Sequence, residues 1–296
     1  MIYLERFILP DMFEEQELCI CRAVENGGSL TTGYIDNIYP AGIFPGKGFS
    51  RTDFEDITIF CGGNGSGKST LLNLIAERCS LERLSPFNSS ELFGRYCGAC
   101  RAELREGADI PSGSRIITSD DVFEYMLSVR ENNDDIAEKI EEAKSRYFDI
   151  KFRETIKFSG MQDYEDLHMQ LLSRRKSRRQ FIKEMTGSES RLFSNGETAL
   201  EFFSARLGGS RLYLLDEPEN SLSPKLQMML AGLIEDLRAE GSQIIMATHS
   251  PFLLAIRGAK IYDLDSSPVD VKRWSELESV RTWFEFFESR RDEFLG

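Results

Sequence analysis

Ten residues in the first quarter of the chain have the types and spacing of a phosphate-binding loop. The segment Cys61–Thr70 reads CGGNGSGKST and fits the pattern G-x-x-x-x-G-K-[ST]. Its glycines allow several backbone N–H groups to point at one anion. Lys68 can then reach the terminal phosphates of a nucleotide, and the Ser69 hydroxyl can ligate Mg²⁺. The residues expected to bind nucleotide here are Gly62, Gly63, Asn64, Gly65, Ser66, Gly67, Lys68, Ser69 and Thr70.

The flanks of this loop supply the elements that must position it. Before it, Asp56–Phe60 is a short apolar, β-branched run that is typical of a buried strand. After it, apolar residues recur at helical spacing on a helix predicted to start at Ser69: Leu71, Leu72, Leu74 and Ile75. The helix N-terminus adds partial positive charge beside the phosphates.

Two later apolar runs end in residues that suit phosphoryl chemistry. Arg211–Glu217 predicts a buried strand that delivers Asp216 to the Mg²⁺ shell and Glu217 to the attacking water. Gln243–Thr248 predicts a further strand that delivers His249 to the γ-phosphate. We therefore expect Glu217, His249 and Lys68 as catalytic residues, and Ser69 and Asp216 as metal ligands.

Composition limits the classes of protein that remain. The chain has 296 residues, is 41% hydrophobic and carries a formal net charge of −13. No run approaches the roughly 20 apolar residues that span a bilayer, and the N-terminus lacks a signal-peptide pattern, so we expect a soluble, cytoplasmic protein. The acidic balance argues against a broad basic nucleic-acid surface, although it leaves room for a local one.

The six cysteines do not suggest a disulfide framework in a chain of this length. Cys97 and Cys100 form a lone C-x-x-C, for which a zinc site would need two further ligands. Reduced structural thiols are the favoured interpretation, and metal binding by this pair is left open.

The remaining segments are read more coarsely. Residues 1–55 predict short strands, including Met1–Leu9 and Leu18–Val24, and Ser80–Ser114 reads as loop-rich. A final amphipathic helix is expected to pack on the core, with partner binding as the alternative for any exposed aromatic residue. Its apolar residues at helical spacing are Leu277, Val280, Phe284, Phe287 and Phe294. Three aromatic residues are candidates to stack on an adenine base, with no basis for choosing among them and with ordinary core packing favoured for any single one: Tyr39, Phe44 and Phe49.

Between the phosphate loop and Asp216 lies a strand followed by a charged helical arm. Arg115–Thr118 predicts the strand, after which Asp120 or Asp121 either caps a helix starting near Val122 or contacts Mg²⁺ or its water. Residues 122–185 read as mostly helical, with a basic block at Arg174–Arg179. A solvated face, contact with nucleic-acid phosphates and an acidic protein partner all remain open for this block.

Four motifs occur in the order seen in ABC-type ATPases, and the chain resembles that family. They are Gly62–Thr70, Phe193–Glu197 (FSNGE), Asp216–Pro218 (DEP) and Ala247–Ser250 (ATHS). The second stands where the family usually has L-S-G-G-Q. Ser194 keeps the hydroxyl and Gly196 the close backbone approach, whereas Asn195 and Glu197 depart from the pattern.

The resemblance implies ATP and Mg²⁺ as cofactors and a head-to-tail homodimer in which the signature of one subunit completes the ATP site of the other. Ser194, Asn195, Gly196 and Glu197 would then bind the partner's nucleotide, Glu217 would be the catalytic base and His249 the γ-phosphate sensor. Because DEP continues as Glu219–Pro224 and not toward S-A-L-D, the chain looks like the soluble "AAA family ATPase" branch, which is related to chromosome-maintenance, recombination and overcoming-lysogenisation-defect ATPases.

We therefore expect an α/β P-loop NTPase fold: a mostly parallel sheet, an antiparallel N-terminal β subdomain and a helical insertion. A single domain spans 1–296, with the β subdomain at 1–55, the insertion at 122–190, and the signature, acidic strand and histidine at 191–296. The expected function is Mg²⁺-dependent ATP hydrolysis to ADP and phosphate, coupled to homodimer closure, in DNA metabolism or phage defence. An ATP-gated interaction module with slow turnover and, less favoured, a transporter's nucleotide-binding subunit are the alternatives.

Overall fold

A computed structural model describes residues 1–25, 38–87, 89–129 and 195–295. The chain divides into two compact units, one formed by residues 1–123 together with 199–296 and the other by residues 124–198. The first unit holds both sheets described below. In the second, the described residues, 124–129 and 195–198, are helical.

The strands of the described chain follow one another as β1 (Leu4–Ile8), β2 (Arg51–Asp53), β3 (Ile57–Cys61), β4 (Arg101–Leu104), β5 (Arg115–Thr118), β6 (Leu212–Asp216), β7 (Gln243–Ala247), β8 (Lys260–Asp263) and β9 (Asp270–Lys272). Six of them form one sheet in the order β5-β6-β7-β3-β8-β9. Its pairs are parallel except for β8 with β9.

The helices are α1 (Met12–Glu25), α2 (Lys68–Arg78), α3 (Glu91–Ala99), α4 (residues 119–129), α5 (Asn195–Arg206), α6 (Pro224–Ala239), α7 (Pro251–Leu254), α8 (Glu278–Ser289) and α9 (Arg291–Leu295). Short 3₁₀ turns lie at Pro45–Lys47 and Trp274–Glu276. The chain therefore alternates strands and helices through most of the first unit, as parallel sheets require.

The expected fold class is confirmed: the protein is an α/β P-loop NTPase with a mostly parallel central sheet. Every residue of β3 and of β7 is buried, which fits strands covered on both faces. These are the apolar runs that the sequence predicted as strands. The helix after the phosphate loop begins at Lys68, one residue before the expected start.

A second, smaller sheet is antiparallel and has the order β2-β1-β4. The strand predicted at Met1–Leu9 is present as β1. The prediction that Ser80–Ser114 is loop-rich was incomplete, because this stretch also contains α3 and supplies β4 as the third strand of the sheet. The apolar spacing that could have revealed α3 is Leu92, Phe93, Tyr96, Cys97 and Cys100, all buried.

The strand predicted at Leu18–Val24 was also wrong, since this stretch lies in α1. The Asp11 carboxylate accepts the N–H groups of Phe13 and Glu14 at 2.8 and 2.9 Å, and Glu14 accepts the Asp11 N–H at 2.9 Å. This reciprocal capping box starts a helix. On the same helix, buried Glu15 accepts the Tyr96 hydroxyl at 2.7 Å and so ties α1 to α3.

The C-terminal amphipathic helix packs on the core only at its beginning. Leu277 and Val280 are buried, whereas Phe284 is 65% and Phe294 is 70% exposed. The chain also ends α8 at Ser289 and starts α9 at Arg291. The prediction that this helix packs on the core is therefore wrong for its aromatic positions, for which the sequence also left a partner surface open.

A buried glutamine connects the two sheets. The Gln243 side chain, fully buried at the start of β7, accepts the N–H groups of Tyr3 and Leu4, both at 2.9 Å, and donates to the Leu4 carbonyl at 2.8 Å. It also donates to the Glu55 carbonyl at 3.3 Å. One side chain of the parallel sheet thus satisfies backbone groups of Tyr3 and of Leu4, the first residue of β1 in the other sheet.

We expect Gln243→Met to lower the free energy of unfolding by about 2–4 kcal/mol, because the change keeps the side-chain volume but leaves buried backbone groups without partners. Urea unfolding followed by circular dichroism measures this. Gln16→Met makes the same chemical change at an exposed position of α1 and serves as the control. Equal stabilities of the two variants would contradict the bridging role.

Candidate functional site

The carboxyl ends of four parallel strands meet at one edge of the central sheet. Thr118 pairs with Asp216, Asp216 with Ala247, and Ala247 with Phe60. Because parallel strands in register end at the same level, the loops that follow them converge. The phosphate loop, Glu217 and His249 all leave the sheet at this edge.

The phosphate loop needs glycine at two positions. Gly67 has φ of 101°, and a Cβ atom there would lie 2.7 Å from Ile43 Cγ2. A Cβ atom on Gly62 would lie 2.8 Å from Ser66 Oγ, which is buried and has no hydrogen-bond partner among the described residues. The backbone therefore curls as closely as the pattern predicts, and a buried hydroxyl inside the curl is left to be satisfied.

Two residues that the sequence analysis did not single out hold this loop. Lys47 Nζ donates to the carbonyls of Ser66 and Leu264 at 2.8 and 2.9 Å. The Asp265 carboxylate accepts the Gly63 N–H at 2.7 Å. Both residues come from segments far from the loop in sequence, so no local pattern could have identified them.

Lys68 is buried beneath the loop. Its ammonium group donates to the carbonyls of Gly62 and Gly63 at 2.7 and 3.1 Å. Burial lowers the pKa of Lys68, although the nearby carboxylates of Glu217 and Asp216 oppose the shift. A cation held in this way can exchange carbonyl oxygens for phosphate oxygens without moving far.

Ser69 and Asp216 form the candidate metal site. Ser69 Oγ donates to Asp216 Oδ1 at 3.0 Å. Burial raises the pKa of Asp216 to about 6, and the Ser69 hydrogen bond only partly offsets this. One hydroxyl and one carboxylate are hard oxygen donors of the kind that Mg²⁺ takes when phosphates supply further ligands, so the donor set fits this metal.

Glu217 stands in a strained backbone conformation next to this pair. Its φ of 48° lies in the left-handed region, which non-glycine residues seldom adopt, and its N–H donates to the Ala247 carbonyl at 2.9 Å. Asn220 Nδ2 donates to Glu217 Oε2 at 3.2 Å, and Glu217 Oε1 lies 3.5 Å from His249 Nε2. The Glu217 side chain is held in place yet 30% exposed, so a water molecule can still reach its carboxylate.

The position of His249 is fixed from both sides. Its backbone N–H donates to Glu219 Oε1 at 2.6 Å. The next residue, Ser250, caps α7 by accepting the N–H groups of Phe252 and Leu253. The structure therefore places five residues that the sequence analysis singled out at the same edge of the sheet: Lys68, Ser69, Asp216, Glu217 and His249.

A cavity of about 620 Å³ opens beside the candidate metal site and is lined by Tyr39, Ser69, Thr70, Asp216 and Glu217, among others. The Tyr39 hydroxyl donates to Thr70 Oγ1 at 3.1 Å. Of the three candidate stacking aromatics, Phe44 and Phe49 are only 1% and 4% exposed and cannot face a base. Phe44 and Phe49 are therefore wrong as stacking candidates, and Tyr39 is the candidate that remains.

The two acids after β5 have separate roles. Asp121 is buried and accepts the Thr118 N–H at 2.7 Å and the Ser85 N–H at 2.8 Å. It therefore caps α4 and anchors a neighbouring loop. Asp120 instead lines the cavity together with Thr118 and Ser119. A contact of Asp120 with Mg²⁺ or its water stays a prediction.

Several expected features lie partly or wholly outside the described residues. Ser194 and the basic block Arg174–Arg179 fall in the stretch 130–194. Asn195, Gly196 and Glu197 form the first turn of α5. Their expected contact with a partner's nucleotide stays a prediction.

The C-x-x-C pair belongs to the hydrophobic core. Cys97 and Cys100 are buried, and burial raises the pKa of both thiols, that of Cys97 to about 11. Within the described ranges, no group of three or more His, Cys, Asp and Glu side chains is placed to hold a metal ion. The structural interpretation of these two thiols fits their surroundings.

Residues 80–255, more than half of the chain, match the model of a family described as "AAA domain, putative AbiEii toxin, Type IV TA system". The chain belongs to this AAA domain family. The match confirms the sequence-based recognition of an AAA-family ATPase. It covers Asp216, Glu217 and His249 of the AAA domain, whereas the phosphate loop lies before it.

Solved structures similar to this AAA domain include two SMC head domains and a transporter cassette. The SMC head domain from Thermotoga maritima is 14% identical, with 92% of this chain and 98% of that chain covered and a TM-score of 0.40. The Smc head domain from Pyrococcus furiosus, bound to the C-terminal domain of ScpA, is 15% identical over 81% and 95%, with a TM-score of 0.41. A nucleotide-free ATP-binding cassette from an ABC transporter is 14% identical over 78% and 86%, with a TM-score of 0.37.

No curated protein matches the AAA domain in sequence. Of the helices in the described ranges, none combines the length and the apolar character that crossing a bilayer requires.

In Mg²⁺-free buffer at pH 8, we expect Asp216→Asn to melt a few degrees above the unmodified protein. The folded-state pKa of Asp216, about 6, exceeds the value of about 3.9 in the unfolded chain, so the folded state is favoured by the bound proton at low pH and loses that advantage as pH rises through 6. A neutral Asn does not lose stability in this way as pH rises. In a domain of this size, each kcal/mol of unfolding free energy shifts the melting temperature by about 2–4 °C.

Differential scanning calorimetry from pH 4 to pH 8 measures the difference, which should vanish near pH 4. Asp236→Asn, at an exposed position of α6, is the control and should show no such trend. A gap between Asp216→Asn and the unmodified protein that does not change with pH would contradict the raised pKa.

Proposed function

We propose that the protein binds ATP with Mg²⁺ and hydrolyses it to ADP and phosphate. The observation that carries this proposal is the contact of Ser69 with Asp216, with Glu217 as the next residue, at the edge of the sheet where the phosphate loop opens. Family membership supports nucleotide chemistry of this kind. Tyr39 is the aromatic residue that remains to stack on the adenine.

The residues of the chain divide the binding work. The backbone N–H groups of Gly62–Thr70 and the start of α2 bind the phosphates, and Lys68 neutralises the β- and γ-phosphate charge. Ser69 and Asp216 would hold Mg²⁺, which when bound draws charge from the β- and γ-phosphate oxygens. Of these groups Lys68 is already buried, so its charge acts in a setting where water screens it weakly.

Glu217 orients and deprotonates the attacking water. Its strained backbone and its Asn220 hydrogen bond fix the carboxylate, so little reorganisation is needed when water attacks the γ-phosphorus. His249, whose Nε2 lies 3.5 Å from Glu217 Oε1, acts as the γ-phosphate sensor. The shared placement of these two side chains supports one reaction centre.

Hydrolysis is coupled to closure of a head-to-tail homodimer. By the resemblance to ABC-type ATPases, Ser194 and Gly196 contact the partner's γ-phosphate, with Asn195 and Glu197 beside them. The support is the motif order in the sequence.

The biological setting that we propose is DNA metabolism or phage defence in the cytoplasm. The family description, which names a toxin of a Type IV TA system, is in keeping with a defence role. A second candidate is an ATP-gated interaction module with slow turnover. The exposed aromatic side chains of α8 and α9, Trp283 and Phe294 among them, favour it as a surface for a partner. A transporter subunit has the least support.

Glu217→Gln should lower ATP turnover at least about 100-fold, because the amide cannot accept the proton of the attacking water. ATP binding should persist, and a dimer should accumulate in ATP and Mg²⁺. Phosphate release and light scattering after size exclusion measure the two effects. Glu285→Gln, an exposed acid on α8, is the control, and turnover by Glu217→Gln at the unmodified rate would refute the assignment.

If the protein acts on DNA, double-stranded DNA should raise its ATP turnover, and the stimulation should fall steeply as salt increases. Replacing Arg174, Arg175, Arg178 and Arg179 with Ser should remove the stimulation and leave basal turnover intact. Arg290 and Arg291, each already paired with a glutamate, provide the control replacement. If DNA does not change ATP turnover at low salt, the result would contradict an action on DNA and would favour a protein partner.

A further inference from the structure

A second cavity, of about 560 Å³, lies against His249 and is walled mainly by aromatic rings. The 3₁₀ turn before α8 contributes Trp274, and α8 contributes Trp283, Phe284 and Phe287. A volume of this size is in the range of binding pockets, which are mostly apolar with a few polar groups that fix orientation. The polar groups here come from the other side, and include Glu219 and His249.

The polar lining has two buried atoms without a hydrogen-bond partner among the described residues, Glu219 Oε2 and His249 Nε2. His249 Nε2 lies 3.5 Å from Glu217 Oε1, on the side of the candidate metal site. Ser250 Oγ donates to Gln227 Oε1 at 2.7 Å, and Gln227 Nε2 donates to the Leu222 carbonyl at 2.9 Å. Glu219 Oε1 accepts the His249 N–H. Glu219 Oε2 is buried and, among the described residues, finds no donor. An unpaired carboxylate oxygen in an apolar setting is costly, and a hydrogen-bond donor would relieve it.

The segment that supplies most of the aromatic walls is also acidic, although none of its acids lines the cavity. From Trp274 to Leu295 the chain carries six acids and three arginines. Two of those arginines are already paired, Arg290 with Glu293 at 3.2 Å and Arg291 with Glu288 at 3.3 Å. The field around the aromatic walls therefore favours a cation.

We propose that this cavity binds the guanidinium group of an arginine that a protein partner presents. A guanidinium is planar and weakly hydrated, so it can stack on the rings of Trp283 or Trp274 and still donate to Glu219 Oε2. Its apolar stem fits the remaining aromatic wall. A neutral aromatic group without a donor would leave Glu219 unpaired, and the compact ammonium of lysine would lose more hydration.

The occupant belongs to a protein because the aromatic surface continues beyond the cavity. Phe286 and Phe294 do not line it, yet they are 51% and 70% exposed and both lie against Phe287. Exposed aromatic residues around an anchoring pocket are typical of protein interfaces. On the proposed function, the bound arginine would lie beside His249, which also faces Glu217.

The chain contains two tryptophans, and both line this cavity, so native tryptophan fluorescence reports its occupancy directly. We expect N-acetyl-arginine amide to change the fluorescence saturably in nucleotide-free protein. N-acetyl-citrulline amide, which is neutral and of the same shape, should bind at least tenfold more weakly. Because no nucleotide is present, the result does not depend on whether the protein hydrolyses ATP.

Two variants and one control locate the site. Glu219→Gln keeps an acceptor for the His249 N–H but loses the charge, and Phe284→Ala removes an exposed wall of the cavity; each should weaken arginine amide binding at least tenfold. Phe286→Ala removes a half-exposed ring of the same helix outside the cavity and should bind as the unmodified protein does. Thermal melting verifies that each variant is folded.

Four outcomes would overturn the proposal. Equal binding of the arginine and citrulline amides would mean that charge is not recognised. The absence of a saturable response, or full binding by Glu219→Gln or Phe284→Ala, would exclude the cavity as a guanidinium site. Free arginine binding more tightly than the blocked amide would indicate a metabolite and not a residue within a partner chain.

Discussion

The candidate site depends on the 3.0 Å hydrogen bond between Ser69 and Asp216. Ser69 follows β3, and Asp216 is the last residue of β6. These two strands are not neighbours, because β7 lies between them in the sheet. The contact therefore holds only while three buried parallel strands keep their register. A slip by one residue would turn the strand faces over and carry Asp216 away from the phosphate loop. The hydrophobic burial of β3, β6 and β7 thus sets the geometry of the polar edge.

The same edge shows where the fold accepts local cost. Glu217 has a left-handed backbone, burial disfavours the charged form of Asp216, and Ser66 Oγ has no partner in the described chain. Such unfavourable features persist only where the surrounding structure holds them, and they tend to gather at sites that act on a ligand. His249 extends this arrangement toward the aromatic cavity, so one residue borders both places where a ligand is proposed.

The sequence predicted the buried strands and the loop well because both depend on local pattern. β5, β6 and β7 read as apolar runs, and the phosphate loop has fixed glycine positions. It failed for α1 and α3, where the Asp11–Glu14 capping box and the buried spacing from Leu92 to Cys100 were outweighed by strand-like and glycine-rich composition. Burial could not be read from residue type, so the sequence provided no reason to prefer Tyr39 over Phe44 or Phe49 as the aromatic residue that stacks on adenine. Contacts between distant segments, such as Asp265 with Gly63 or Gln243 with Tyr3, leave no local signal.

The central claim is that Ser69 and Asp216 together form a metal site that serves the nucleotide. Equilibrium binding of a fluorescent ATP analogue, with and without Mg²⁺, tests it most directly in the unmodified protein and in Asp216→Asn. We predict that Mg²⁺ tightens binding at least tenfold in the unmodified protein and has little effect in the variant, while Mg²⁺-free binding stays similar in both. An equal Mg²⁺ effect in the two proteins would contradict the account.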